Sequence, residues 1–369
     1  MMKKLIVSLT AALLVVTAAL PAGAAKFPDV SDNHSLVIEV EYLVDKEIIR
    51  GYEDGTFRPN DPISKKHIAS MLVKALNLPT TDIKNPGYAD VPTTHPYYKE
   101  IAAAYTAGIF GNATNFKPDS SISRAFMAKI LAHSFNLKSI ADNAVTYKDV
   151  PTSYEFYSPI QLVTMNNVAQ GYPEDGTFRP NQLITRAHFS AFLARAMSLI
   201  GGDFTPDTNY MYYYEDAGNY RYRSELDGQT AVDQSVYKYW NVYEDATNEQ
   251  MDYLMYLYSP NRFYEGIPQS DIGTSVAFPF TIGKKVDTRG QEHQTAYLTQ
   301  RVLNTKTSVT IAGKVYQDVV IVAETFDAGG GKIDTVTTYI AKGHGIIAYK
   351  NTGGYFTYWL TDRVATPAQ

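Results

Sequence analysis

Three segments of this chain repeat one another, and that periodicity constrains the fold more than any other feature. Each opens on an aromatic residue, a spacer and Asp-Val: Phe27-Pro28-Asp29-Val30, Tyr88-Ala89-Asp90-Val91 and Tyr147-Lys148-Asp149-Val150. The aspartates lie 61 and then 59 residues apart. An amphipathic stretch follows in each copy, with Val37, Val40, Leu43, Val44 and Ile48 at helical spacing in the first. Ile101, Tyr105 and Ile109 take that role in the second, and Ile160, Val163 and Val168 in the third.

A turn comes next. Gly51-Tyr52-Glu53-Asp54-Gly55-Thr56-Phe57-Arg58-Pro59 recurs as Gly171-Tyr172-Pro173-Glu174-Asp175-Gly176-Thr177-Phe178-Arg179-Pro180. Asp-Gly is a strong turn signal because glycine reaches positive φ without steric cost. The second copy is worn: Gly111 to Pro118 keeps the first glycine, Phe116 and the proline, but loses Asp-Gly and one residue. Each copy closes on a helix start, Ser64-Lys65-Lys66-His67, Ser123-Arg124-Ala125-Phe126 or Thr185-Arg186-Ala187-His188, with Ser or Thr placed as N-cap. Phe57, Phe116 and Phe178 are expected in the core. Neither helix of a unit can bury its apolar stripe alone, so three units packed around a pseudo-threefold axis are expected.

These segments resemble S-layer homology (SLH) repeats, from Phe27 to about Ile200. The resemblance implies export and non-covalent anchoring to a pyruvylated secondary cell-wall polysaccharide, held in grooves between the units. It places Lys65, Arg124 and Arg186 at the family's basic position. A pyruvate ketal carries a carboxylate, which suits a helix N-terminus and a bidentate arginine; a lysine offers only a point charge. The turn glycines Gly51, Gly55, Gly111, Gly171 and Gly176 would let backbone approach sugar, and Tyr52 and Tyr172 could stack on it. Asp29, Asp90 and Asp149 could accept sugar hydroxyls or serve as caps. The family's Glu after the basic residue is replaced by His67, Phe126 and His188, and its Trp after Asp-Val is missing. Fewer than three working grooves are therefore expected, with one that depends on the second repeat the weakest.

The rest of the chain bounds this picture. Lys3 and Lys4, the apolar run to Leu20 and Ala22-Gly23-Ala24-Ala25 read as a secretory signal over 1–25. No membrane span is expected after its removal. The chain has no cysteine, so export brings no disulfide framework. A net charge of −5 argues against nucleic acid as a partner. No metal or other cofactor is implied. The repeats divide as 26–85, 86–144 and 145–202, followed by a linker at 203–209.

Of 29 tyrosines, 19 fall from Tyr210 onward, which excludes a fourth helical repeat. Alternation at 220–226, paired runs at 309–311 and 315–323, paired runs at 336–341 and 346–350, and a run at 355–360 indicate strands. Residues 210–369 are expected to form an antiparallel sheet of six to ten strands, as a sandwich or curved half-barrel. The steps at 278–285 and 339–346 are weakly similar to exported domains with a lipoprotein-carrier-like curved sheet. No Gly-x-Ser-x-Gly, His-Glu-x-x-His or phosphate loop is present. His293 and His344 are the only histidines of this half, and the acid pairs Glu215-Asp216 and Glu244-Asp245 sit at strand ends.

The fold class expected is therefore α + β in separate domains: an all-α, three-repeat, pseudo-trimeric bundle followed by an antiparallel β domain. The function expected is wall anchoring and display without catalysis, with room for self-association in a surface layer. The alternatives are a wall-targeted enzyme with its site in the β domain, or a carrier with a lipid or small molecule under the curved sheet.

Overall fold

The computed structural model describes residues 27–140, 143–232, 235–259, 262–268, 273–283, 286–287, 297–329 and 331–366. The leader at 1–25, Lys284-Lys285 and His293 lie outside the described residues.

Six helices come first: α1 (Val37–Asp45), α2 (Lys65–Ala75), α3 (Tyr98–Thr106), α4 (Arg124–Ser134), α5 (Tyr157–Met165) and α6 (Arg186–Ser198). Each repeat supplies two. The apolar stripes read from the sequence face inward, with Leu43, Ile68, Ile101, Leu131, Ile160 and Phe189 fully or almost fully buried. The second helix of each unit packs on the first helix of the next: α2 on α3, α4 on α5, and α6 back on α1. The three repeats thus close a ring, and no unit is left with an unpartnered face.

The ring is closed by backbone as well as side chains. The Lys65 and Lys66 N–H groups donate to the Ser120 and Pro118 carbonyls at 2.9 Å each. Those of Arg124 and Ala125 donate to Gln182 and Pro180, and those of Arg186 and Ala187 return to Asp61 and Pro59. Every second helix therefore starts on the Phe-x-Pro turn of the following repeat. These N–H groups would otherwise lack partners at a helix start.

Twelve strands follow: β1 (Tyr210–Asp216), β2 (Arg221–Val232), β3 (Ser235–Glu244), β4 (Gln250–Tyr258), β5 (Arg262–Gly266), β6 (Gly273–Ala277), β7 (Val286–Asp287), β8 (Tyr297–Ile311), β9 (Lys314–Asp327), β10 (Ile333–Ala341), β11 (Gly345–Lys350) and β12 (Phe356–Ala365). They form one antiparallel sheet in the order β6-β5-β4-β3-β2-β1-β12-β11-β10-β9-β8-β7. Two six-stranded meanders are joined where β1 pairs with β12. The sheet curls until it nearly closes: Thr274 on β6 donates to Glu324 on β9 at 3.0 Å, and Tyr349 on β11 donates to Glu265 on β5 at 3.1 Å. This corrects the expectation of six to ten strands. The runs now seen as β3, β4 and β5 carry large residues on both faces, so they show no clean alternation.

The segment at 203–209 is packed rather than free. Phe204 is fully buried, its ring 5.0 Å from Phe280 and near perpendicular to it. Ile200 and Phe280 exchange backbone hydrogen bonds at 3.1 Å. Arg301 on β8 donates to the Ser35 carbonyl at 2.9 Å, and Thr305 donates to the Ser198 carbonyl. The helical ring therefore seats on the sheet through the 278–283 segment and the middle of β8.

One buried ion pair sits where the ring closes on itself and meets the sheet. Arg195 on α6 donates to Glu39 Oε1 on α1 from Nε at 3.0 Å and Nη2 at 2.6 Å. Glu39 is fully buried. Gly283, at φ 117°, lies so close that a Cβ there would stand 1.9 Å from Glu39 Oε1, so only glycine fits. Removing one partner of such a pair leaves a buried charge uncompensated, at a cost of about 3–5 kcal/mol. Glu39→Leu or Arg195→Met alone should lower unfolding free energy by about that amount in urea titrations. The double variant should recover most of the loss, because apolar replacement of both partners is often near neutral.

Candidate functional site

The three basic residues singled out in the sequence occupy equivalent places, one at each junction between repeats. Lys65 of the first repeat reaches the turn of the second, where Nζ donates to the Phe116 carbonyl and lies 4.2 Å from the Phe116 ring centroid. Arg124 of the second reaches the turn of the third. Its Nε donates to the Phe178 carbonyl at 2.9 Å and its Nη2 to the Gln170 carbonyl at 3.1 Å. Arg186 of the third reaches back to the first, with Nη2 on the Arg50 carbonyl at 2.6 Å. Each cation is thus assembled with the turn of the following repeat, not its own.

Both arginines are sunk in the junction, Arg124 3% and Arg186 9% exposed. Burial pulls both guanidinium groups, and the Lys65 ammonium, down from their ordinary ranges. The charge is held by carbonyl oxygens and aromatic faces rather than by a carboxylate partner. The junctions differ in one respect that matters for an anion. Among the described residues, the buried Arg186 Nε has no hydrogen-bond partner.

Tyr52 and Tyr172 are engaged by the same cations. Arg58 and Arg186 lie 4.0 and 5.0 Å from the Tyr52 ring centroid, and Arg179 and Arg124 lie 3.6 and 5.2 Å from that of Tyr172. The rings therefore orient the guanidinium groups. In the worn turn Asn112 follows Gly111, where the other copies have tyrosine, and it accepts from Tyr105 instead. The junction built from Lys65 and the second turn thus has neither the guanidinium nor the tyrosine of the other two. Arg124, although it belongs to the second repeat, faces the intact third turn.

The aspartates are engaged within their own repeats, each with the turn rather than with the first helix. Asp29 accepts the Phe57 and Arg58 N–H groups at 2.8 and 2.7 Å, one on each oxygen. Asp90 does the same for Phe116 and Lys117, and Asp149 for Phe178 and Arg179. Arg58, Lys117 and Arg179 are non-glycine residues held at φ 58°, 59° and 58°. The clasp stabilises that left-handed step and lodges each phenylalanine in the core, where Phe57, Phe116 and Phe178 are at most 2% exposed. The glycines are also largely structural. A Cβ at Gly51 would stand 2.7 Å from the Phe27 ring and one at Gly171 2.3 Å from the Tyr147 ring, whereas Gly111 has open space. Gly55 and Gly176 supply the positive φ of the Asp-Gly turn.

Most of the N–H groups at the helix starts are already engaged within the ring. The first two donors of each are spent on the neighbouring turn, as above. In two copies the third is taken by the cap, Ser123 Oγ accepting from Phe126 and Thr185 Oγ1 from His188. The His67 and His188 rings, standing where the family has Glu, hydrogen-bond through Nδ1 to the Ser64 and Thr185 hydroxyls. Among the described residues no cluster of His, Asp and Glu converges as a metal site, and no helix is long and apolar enough to cross a membrane.

The S-layer homology domain family matches residues 26–69, 87–128 and 146–190. The helical half of this chain carries three S-layer homology domains. The S-layer protein EA1 of Bacillus anthracis is 30% identical over 198 residues, 52% of this chain and 22% of that one. An S-layer protein of Bacillus licheniformis is 32% identical over 199 residues, 52% of this chain and 22% of its own length. An uncharacterized cell wall amidase of Bacillus anthracis is 31% identical over 162 residues, 42% of this chain and 29% of that one. The chain spans less than a third of the length of these relatives. The SLH domains and S-layer relatives mark it as a secreted, cell-wall-associated surface protein.

The clasp separates a structural aspartate from a ligand. Asp149→Ala should lower the thermal midpoint of the SLH half, with a loss of about 3 kcal/mol for two hydrogen bonds to a charged acceptor. A variant that kept its melting temperature and lost only wall binding would restore Asp149 to the binding surface.

Proposed function

We propose that the SLH ring anchors the chain non-covalently by binding an anionic, pyruvylated cell-wall polysaccharide at the junctions between repeats. The observation that carries this is the unpartnered Nε–H of buried Arg186, set beside Tyr52 and Phe57. That donor has almost no exposed surface, so a carboxylate of the polymer would take it by displacing the side chains above it, relieving the cost of burying the charge. The Arg124 junction shares the Arg–Tyr–Phe composition, with Phe178 4.7 Å from its guanidinium carbon. The Lys65 junction lacks both the guanidinium and the tyrosine. Binding therefore rests on two strong junctions and one weak one, with the anion held by side-chain cations rather than helix-end N–H groups.

On this reading the chain binds and displays; it is not an enzyme. The ring holds one end of the β-rich half, and the wall polymer engages the junctions between its repeats. Its S-layer relatives support assembly at a surface, and self-association in a layer is part of the proposal.

The test is retention of the full chain on purified wall sacculi, either native or stripped of secondary polymer. Native sacculi should retain it and stripped ones should not; equal retention would defeat the proposal. Arg186→Ala should weaken binding more than tenfold, since loss of a buried charged partner costs about 2–5 kcal/mol. Lys65→Ala should cost several-fold less, and the reverse ranking would contradict the junction assignment.

A further inference from the structure

The curled sheet has two ends, and they are unlike. The helical ring covers one, through Phe204, Phe280 and the Gly343 turn. The other is a cavity of about 600 Å³ whose walls come from both meanders. Its lining draws on the end of β1, the start of β2, the end of β3, the start of β4, the end of β5, the start of β6, and the corresponding ends of β10, β11 and β12. Mouths of this kind are common ligand sites in curved sheets.

The chemistry of the mouth is one-sided. Tyr222, Tyr349 and Tyr358 give it aromatic walls, and Asp216, Asp252 and Glu265 give it three carboxyl groups. No lysine, arginine or histidine lines it among the described residues. Two of the three phenol donors are already spent: Tyr222 donates to Asp216 at 2.9 Å and Tyr349 to Glu265 Oε2 at 3.1 Å. Glu265 is 7% exposed, and it is its Oε2 that accepts from Tyr349. A sugar ring presents acceptors as well as donors and would find almost no donors here. A ligand that only donates fits the inventory.

We propose that the mouth of the sheet binds an organic ammonium ion with an apolar body, the cation on Glu265 and Asp252 and the body against the tyrosine faces. Aromatic walls with carboxylates are the usual means of holding such ions. The electrostatics agree. Burial first, then the carboxylates of Glu324 and Asp252, push Glu265 up to about 7 against the lowering hydrogen bond from Tyr349. A bound cation favours the ionised form, so binding should release protons near neutral pH and strengthen as pH rises from 6 to 8.

Calorimetric titration of the full chain with 3-phenylpropylammonium, 3-phenylpropan-1-ol and 3-phenylpropionate tests this. The ammonium ion should bind one per chain, the alcohol at least about tenfold more weakly, and the carboxylate without measurable heat. Glu265→Gln should cost the ammonium ion about tenfold and leave the alcohol unchanged. Should that variant fail to fold, Asp252→Asn at the exposed rim should cost the ammonium ion about threefold and the alcohol nothing. Equal binding of all three probes, no binding of the ammonium ion, or no loss in the variant that folds would overturn the proposal. Wall retention is read separately, so failure here leaves the anchoring proposal standing.

Discussion

The structure depends on a ring of backbone hydrogen bonds in which each second helix begins on the turn of the next repeat. Three pairs of N–H groups, from Lys65-Lys66, Arg124-Ala125 and Arg186-Ala187, close on Ser120-Pro118, Gln182-Pro180 and Asp61-Pro59. A helix start buried without partners would be costly, so no repeat can leave the ring cheaply. The same closure carries the basic residue at the first helical position into the neighbouring turn. Fold and candidate site are therefore one arrangement: the contact that closes the ring of repeats also places the cation.

The aspartate clasp makes each turn a fixed target. By holding residues 58, 117 and 179 in the left-handed region, it points Phe57, Phe116 and Phe178 into the core and leaves their carbonyls at the junction. Those of Phe116 and Phe178 then meet Lys65 and Arg124. Behind the ring, Glu39 and Arg195 join the first and third repeats where Gly283 of the β half presses on them. The sheet is thereby held at one end, and its mouth is left open at the other.

Much of the helical half was legible because each level of the sequence agreed. The opening Asp-Val, the Asp-Gly turn and the Ser/Thr-basic helix start each specify a local structure, and repetition showed that they belong together. The worn turn at 111–118 was also legible. Which cation meets it was not, because sequence order cannot show that a cation reaches the turn of the following repeat. For the same reason the helix N–H groups were expected to be free for a ligand, although the neighbouring turns take them. The aspartates looked like sugar ligands or caps because their true partners lie 26–30 residues away. In the β half, the hairpin at Ala312-Gly313 was visible from its turn, and the last strand was read as 355–360, half of its observed span Phe356–Ala365. The strands from 235 to 266 were not, since their side chains pack on both faces. The facing of Glu265 and Tyr349 across the curl, 84 residues apart, has no local signal.

The central claim is that a buried guanidinium donor at the junction of the third and first repeats meets the wall polymer. Nitrogen-15 NMR of labelled arginine side chains, in the full chain titrated with purified polysaccharide fragments, observes that donor directly. The account predicts that the Arg186 Nε–H resonance shifts most and becomes protected from exchange, with a smaller response at Arg124. An unmoved Arg186 signal at saturating polymer, with shifts confined to exposed arginines such as Arg50 or Arg58, would contradict it.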